Sequence, residues 1–509
     1  MRSAEALRPT GRRIGFALGP TRELLDELQR RGVRYCHWKG SISLDRVLAG
    51  EKDVDLLVDW RSSADVGGIL AQTGFRRAVD APAAALPGID HYLALDEKLG
   101  LIAHLHLHWQ LIPTKDNPDR IRLPWEELVL ATRVHDASHG IFTPAPDVEL
   151  LLFLVRAAMR ATPRRRVAEA LGRPFLGAAA VSELRWLAER TSRQALSARG
   201  TELIGTRGAA KAVAALDAPA SSATFHALRA AIEPALASYE SGRIARAMTR
   251  SAARTRHTRR TLPNGGRIIA FLGSDGAGKS TVVRAVTAWL GSELEVHALY
   301  LGSGDGATSP LRRVLRNVDR VRRILLPRRV SAVGSAGDHP TAAYVRGEGY
   351  VEGVRPGLRA LWKVASKLAL AREKRERLVA AWRGRTKGAV IICDRYPQTQ
   401  QLGFNDGPQL SPWLHHPQRW LRSAARREHA AYDLATTLAP DLVIKLVVSP
   451  ETAATRKDDM SVDLLRARAS SIRGLSFPAA TRVVEIDADQ PLESVLVAAR
   501  TAIWSALWQ

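Results

Sequence analysis

Eight residues, Gly273-Ser-Asp-Gly-Ala-Gly-Lys-Ser280, constrain the fold more than any other stretch of this 509-residue chain. The pattern G-x-x-x-x-G-K-[ST] carries meaning only between a strand and a helix. Both contexts are present: Arg267–Leu272 reads RIIAFL, and Thr281–Leu290 has helical periodicity. Glycines let backbone N–H groups turn inward around phosphate oxygens. The helix N-terminus adds partial positive charge. In such a loop Lys279 reaches the β- and γ-phosphates of ATP, and the Ser280 hydroxyl ligates Mg2+. Gly273, Ser274, Asp275, Gly276, Ala277, Gly278, Lys279, Ser280 and Thr281 are the candidate nucleotide-binding set.

The texture around the loop predicts an α/β fold. Apolar runs at RIIAFLG, VHALYLG, GAVIICD, DLVIKLVV and RVVEID alternate with helical patterns from Arg267 onward. Uninterrupted apolar strands separated by helices predict a parallel sheet covered on both faces. Four segments follow: a small α/β unit over 1–118, a helical extension over 119–245, a basic linker over 246–265 and a phosphate-loop unit over 266–509. In the extension, a helix is expected from Asp147, with Asp147 as its cap.

Composition narrows the classes further. The hydrophobic fraction is 46%, which excludes wholesale disorder. No apolar run approaches the roughly 20 residues of a membrane span, and no signal peptide is read at the N-terminus. Cys36 and Cys393 are the two cysteines. They give no disulfide framework and predict a cytoplasmic protein. The net charge of +24 fits phosphorylated substrates, nucleic acid, an anionic membrane face, or simply solvated arginines. No zinc-finger spacing or aromatic RNA-reading motif accompanies it, so nucleic acid is not the expected partner.

Two further stretches carry chemistry. GAVIICDRYP puts Asp394 and Arg395 at the carboxyl end of a buried strand, where open α/β sheets bind ligands. There a carboxylate can hold the Mg2+ shell and an arginine can grip a second phosphate; a strand-end salt bridge is the plainer reading. PDLVIKLVVSPETAATRKDD places Arg456 and Lys457 after a strand, where basic groups could stabilise the transferring phosphoryl group. Taken in order, GSDGAGKST, ICDRY and PDLVIKLVVSPETAATRK make the segment from about 267 to 505 resemble the thymidylate kinase family of nucleoside monophosphate kinases. The resemblance implies catalytic roles for Lys279, Asp394, Arg395 and Arg456, with Ser280 and Asp394 at the metal. It implies that Asp275 approaches the acceptor, that Arg372 or Arg375 is a second acceptor-side arginine, and that the kinase half is a homodimer. The chain departs from the family after the DRY motif. PQTQQLGFNDGP replaces the run that reads thymine, with Gln400 or Gln401 as substitutes. A basic insertion at 309–329 could grip a charged acceptor, lie on a membrane surface or simply be a solvated basic helix.

The N-terminal signal is YCHWKGSISLDRVLAGEKDVDLLVDW. Gly40-Ser41 is followed, after 11 residues, by Asp53-Val-Asp55. Residues two apart on a strand share a face, so Asp53 and Asp55 can hold Mg2+ together. The spacing resembles the nucleotidyltransferase superfamily. The resemblance places His106 where a third carboxylate is expected. His104, His106 and His108 line one strand face. A working transferase, a degenerate nucleotide-binding domain and a Zn2+ site with Asp53 or Asp55 all remain open. The leading expectation is an ATP- and Mg2+-dependent kinase of a small phosphorylated acceptor, dTMP by default. A kinase of a sugar phosphate or envelope precursor, and a regulatory ATP-binding protein engaging nucleic acid, are the alternatives.

Overall fold

Leu24, Leu25 and Leu28 recur on one face of the helix Gly19–Arg30 and are at most 2% exposed. Burial of each contributes about 1.5–3 kcal/mol. The same patterning recurs through the computed structural model, which describes residues 17–81, 85–113, 122–237, 259–302, 358–402, 406–456 and 462–509. Residues 246–258 of the expected linker, the basic insertion 309–329 and Lys457 lie outside the described residues. Among the described residues no helix is long and apolar enough to cross a membrane. The chain divides into two compact units, Pro9–Arg260 and one containing Thr261–Gln509.

The first unit is built on a mixed sheet. Its strands are β1 (Tyr35–His37), β2 (Val54–Val58), β3 (Arg76–Ala78), β4 (Ile89–Asp96) and β5 (Leu101–His108), in the order β1-β2-β5-β4-β3. β2 and β5 run parallel, whereas β4 and β5 form an antiparallel hairpin. A small antiparallel pair, β6 (Val134–Asp136) and β7 (Ile141–Thr143), follows. The helices Pro146–Arg160, Ala178–Glu189, Arg193–Ala214 and Ser222–Ala237 share one core with Cys36 and Leu57 of the sheet and with Trp38 just after β1. Asp147 does not cap its helix. Ala145 is the cap residue, Pro146 opens the first turn, and the Asp147 carboxylate pairs with Arg199 Nε at 3.1 Å. Proline at the first helical position supplies the fixed φ that starts the helix without a side-chain cap.

The second unit is a five-stranded sheet with every neighbour parallel. Its strands are β8 (Arg267–Gly273), β9 (Val296–Tyr300), β10 (Val390–Asp394), β11 (Leu442–Val447) and β12 (Arg482–Asp487). The spatial order is β12-β11-β8-β10-β9. β8 is central, and Ile268 to Phe271 are at most 1% exposed. The chain therefore leaves the middle of the sheet at Gly273, at the carboxyl edge where the strand order reverses and ligands bind.

Candidate active site

After β8 the backbone turns sharply and enters the helix Lys279–Gly291. Gly276 and Gly278 have φ of 83° and 76°, a left-handed conformation in which a Cβ is strained. A Cβ on Gly276 would also meet the Ala453 carbonyl at 2.8 Å. Gly278 caps the helix, so its first N–H groups face the loop. Lys279 is buried and donates to the Ser274 carbonyl at 2.7 Å. Burial, then the neighbouring Arg395 charge, pushes its ammonium down to about 8.

The Ser280 hydroxyl donates to Asp394 Oδ2 at 2.9 Å. Parallel pairing of β10 with β8, Asp394 opposite Phe271, fixes that contact. Asp394 Oδ1 is buried and has no hydrogen-bond partner among the described residues. A buried carboxylate oxygen left unmatched beside a serine hydroxyl fits an oxygen-liganded cation such as Mg2+.

Two arginines converge on Asp275 at the loop tip. Arg395 Nη2 lies 3.0 Å from Asp275 Oδ1, and Arg395 Nη1 lies 3.3 Å from Asp406 Oδ2. Arg468, on the helix Val462–Arg473, pairs with Asp275 Oδ2. Burial works against the Arg395 charge, but Asp406 and Asp275 outweigh it and hold the guanidinium protonated. Arg395 and Asp406 are the two described non-glycine residues with positive φ, 70° and 65°. They are also each other's partners, and such strain clusters where geometry serves a site. Arg456 ends the helix Pro450–Arg456 and donates to the Ala488 carbonyl at 3.2 Å and the Gly276 carbonyl at 3.4 Å.

Sequence reasoning missed Arg468, because nothing in VDLLRARASSIR marks one arginine above the others. The long helix Leu358–Thr386 turns inward a different face from the one that carries Arg372 and Arg375. Arg372 and Arg375 are both exposed, and Arg372 pairs with Glu376. The inward positions are Glu373, Lys374 and Arg377, with Lys374 2% exposed and Arg377 donating to the Tyr300 carbonyl. Gln400 and Gln401 are engaged with backbone. Gln400 donates to the Ser476 carbonyl at 2.6 Å, and Gln401 to the Ser471 carbonyl at 2.7 Å. Buried Lys445 of β11 donates to the Arg473 and Leu475 carbonyls at 2.7 and 3.0 Å. The carboxyl end of the Arg468 helix is thereby pinned.

In the first unit, Gly40 takes a left-handed φ of 79° and opens a short 3-10 turn, Ser41–Ser43, before the helix Leu44–Leu48. The Ser41 N–H donates to Glu149 Oε1 at 2.9 Å. Burial pushes the Glu149 carboxyl up to about 7. Asp53 and Asp55 do share a face, and imidazoles meet both. Asp53 Oδ1 lies 2.9 Å from His104 Nδ1, and Oδ2 lies 3.1 Å from His106 Nε2. Asp55 Oδ1 lies 2.9 Å from Lys39 Nζ, 3.0 Å from His106 Nδ1 and 3.2 Å from His108 Nε2. Burial raises the Asp53 carboxyl, but the His104 hydrogen bond and the neighbouring imidazoles overcome it and leave the group at about 2. Asp55 sits well below the usual carboxylate range; burial opposes the shift, and Lys39, His106 and His108 drive it.

The chain matches no protein-family model. Two curated Escherichia coli (strain K12) proteins are similar to part of it. "Uncharacterized ATP-binding protein YghS" is 27% identical over 242 residues, which is 47% of this chain and 94% of that protein. "Uncharacterized ATP-binding protein YghR" is 25% identical over 251 residues, 46% of this chain and 86% of that protein.

Proposed function

We propose that the unit containing Thr261–Gln509 is an ATP-dependent phosphotransferase. It moves the γ-phosphoryl group of ATP to a small phosphorylated acceptor, a nucleoside monophosphate in the first instance. The observation that carries this reading is the convergence of Arg395 and Arg468 on Asp275, beside the loop that holds Lys279 and Ser280. A donor cradle needs only the loop; a pair of guanidiniums facing its tip suits a second phosphate. The ATP-binding names of the two Escherichia coli relatives support the donor half of the reading.

In this mechanism the loop N–H groups and Lys279 position the β- and γ-phosphates. Ser280 and Asp394 would hold Mg2+, which supplies charge neutralisation at the phosphates. Arg395 and Arg468 orient the acceptor phosphate, and Asp275 keeps both guanidiniums aimed at the loop. Arg456 braces the loop from the side through the Gly276 carbonyl. Catalysis is positioning plus charge stabilisation, with no covalent step on the protein.

One observation favours a second acceptor class. Gln400 and Gln401 are bonded to backbone carbonyls, so neither is presented to a base. A sugar phosphate would not need them. The reading gives Asp53 and Asp55 no two-Mg2+ nucleotidyl transfer, since imidazoles and Lys39 surround them.

The test is ADP release from Mg-ATP with a panel of nucleoside monophosphates, dTMP included, and sugar phosphates. An acceptor-stimulated turnover that Lys279→Ala lowers by about 100-fold or more is expected. Turnover with sugar phosphates alone moves the acceptor to the second class. ATP binding with no stimulation by any acceptor overturns the phosphotransferase reading.

A further inference from the structure

The sheet register of the first unit builds a row across three strands. Asp55 of β2 stands opposite His106 of β5, and His106 stands opposite His91 of β4. His104 sits two residues from His106 on the same face of β5. The His91 and His106 ring centroids are 4.4 Å apart, as are those of His104 and His106. All three rings are buried.

Each ring has one nitrogen on a different carboxylate. His91 Nε2 lies 3.0 Å from Asp80 Oδ2, His104 Nδ1 lies 2.9 Å from Asp53 Oδ1, and His106 Nδ1 lies 3.0 Å from Asp55 Oδ1. A carboxylate only accepts, so a neutral ring that bonds one through a single nitrogen carries its proton there and presents a lone pair at the other. With those tautomers the inner nitrogens face one another. His91 Nδ1 and His104 Nε2 are 3.1 Å apart. His106 Nε2 is buried and makes no hydrogen bond, although Asp53 Oδ2 is 3.1 Å away. A histidine bound to metal through one nitrogen, with a carboxylate on the other, is the usual arrangement around a transition-metal ion. Tetrahedral ligands at about 2.0–2.1 Å from a metal stand about 3.3–3.4 Å apart, close to the His91–His104 spacing.

We propose that His91, His104 and His106 form a binding site for a divalent transition metal of the Zn2+ class, with Asp80, Asp53 and Asp55 orienting the three rings. The ligand atoms of this set lie within 4.8 Å of one another. Imidazole nitrogens select such ions over Mg2+. Three protein ligands leave a fourth position for water or for Asp53, whose side chain is 45% exposed. A neighbouring set, Asp55 with His106 and His108, has similar spacing. It turns protons, not lone pairs, toward Asp55, and the Lys39 ammonium is already there at 2.9 Å.

The experiment uses the full chain without a histidine tag, stripped with chelator and titrated with ZnCl2 by calorimetry and with Co2+ by visible absorption. One Zn2+ per chain is expected, undisturbed by excess Mg2+, together with the visible bands of four-coordinate Co2+. His91→Ala and His106→Ala should each weaken Zn2+ binding by at least about 10–100-fold, and His108→Ala should keep the stoichiometry. Circular dichroism checks that each variant folds. If His91→Ala unfolds, Asp80→Asn keeps all three rings and should weaken binding by about tenfold in a folded chain. Absence of stoichiometric Zn2+ overturns the proposal. So does wild-type affinity in whichever of His91→Ala and Asp80→Asn is folded, or loss of the metal in His108→Ala alone.

Discussion

Arg395 shows how much one residue type decides here. It holds Asp275 with one nitrogen and Asp406 with the other, from a strained backbone. A lysine has no planar fork to do both. Arg395→Lys is expected to raise the acceptor KM more than the ATP KM in steady-state kinetics. Gly276→Ala strains the loop and pushes a methyl group into the Ala453 carbonyl, so ATP binding by calorimetry should weaken. Glu149 gives a stability signature instead. Its folded carboxyl is raised from 4.5 to about 7, with Ser41, Glu183 and Arg156 around it. Between those values the folded chain keeps a proton that the unfolded chain releases, so stability falls as pH rises through that window. Glu149→Gln keeps an acceptor for the Ser41 N–H and should remove that loss, about 3 kcal/mol at most, between urea titrations at pH 5 and pH 7.5. At this scale the sequence was informative where chemistry is local. That Lys279, Ser280, Asp394 and Arg395 lie close together was legible, because the loop and the strand end are contiguous patterns. Glu149 was not, because its carboxyl meets Ser41 across 108 positions.

Elements explain the remaining gaps. The parallel strands of the second unit were readable as apolar runs, since both faces are covered and alternation is lost. His91 was invisible, because only the antiparallel register of β4 with β5 sets it against His106. A one-residue slip would have turned it to the other face. The expectation that His104, His106 and His108 act as one row held for the strand face, but the lone pairs select His91 over His108. On the helix Leu358–Thr386, a period near 3.6 separates Lys374 and Arg377 from the exposed Arg372 and Arg375, a distinction that a run of charges conceals. Arg468→Ala removes one of the two guanidiniums on Asp275. Acceptor KM should rise several-fold while ATP affinity is unchanged, as read by initial rates and by calorimetry. Equal losses in both would place Arg468 at the donor instead.

For the whole molecule, two compact units, each with its own five-stranded sheet, imply two unfolding events. Scanning calorimetry is expected to show Mg-ATP raising one transition and leaving the other in place, by about 2.7 kcal/mol at 100-fold saturation. Lys279→Ala should abolish that shift. The α/β class and the parallel sheet were readable from texture. The sharing of one core between the first sheet and the helices after it was not, because periodicity marks an apolar face without naming its partner. The pinned end of the Arg468 helix has a mechanical consequence. Lys445, rooted in the sheet, makes that end a fulcrum, and Arg468 lies five residues along the lever, about 7.5 Å at 1.5 Å per residue. A tilt of about 20° would carry its backbone about 2.5 Å, enough to make or break a contact of hydrogen-bond length. The sheet would then act as the frame of a latch, with Asp275 as its catch.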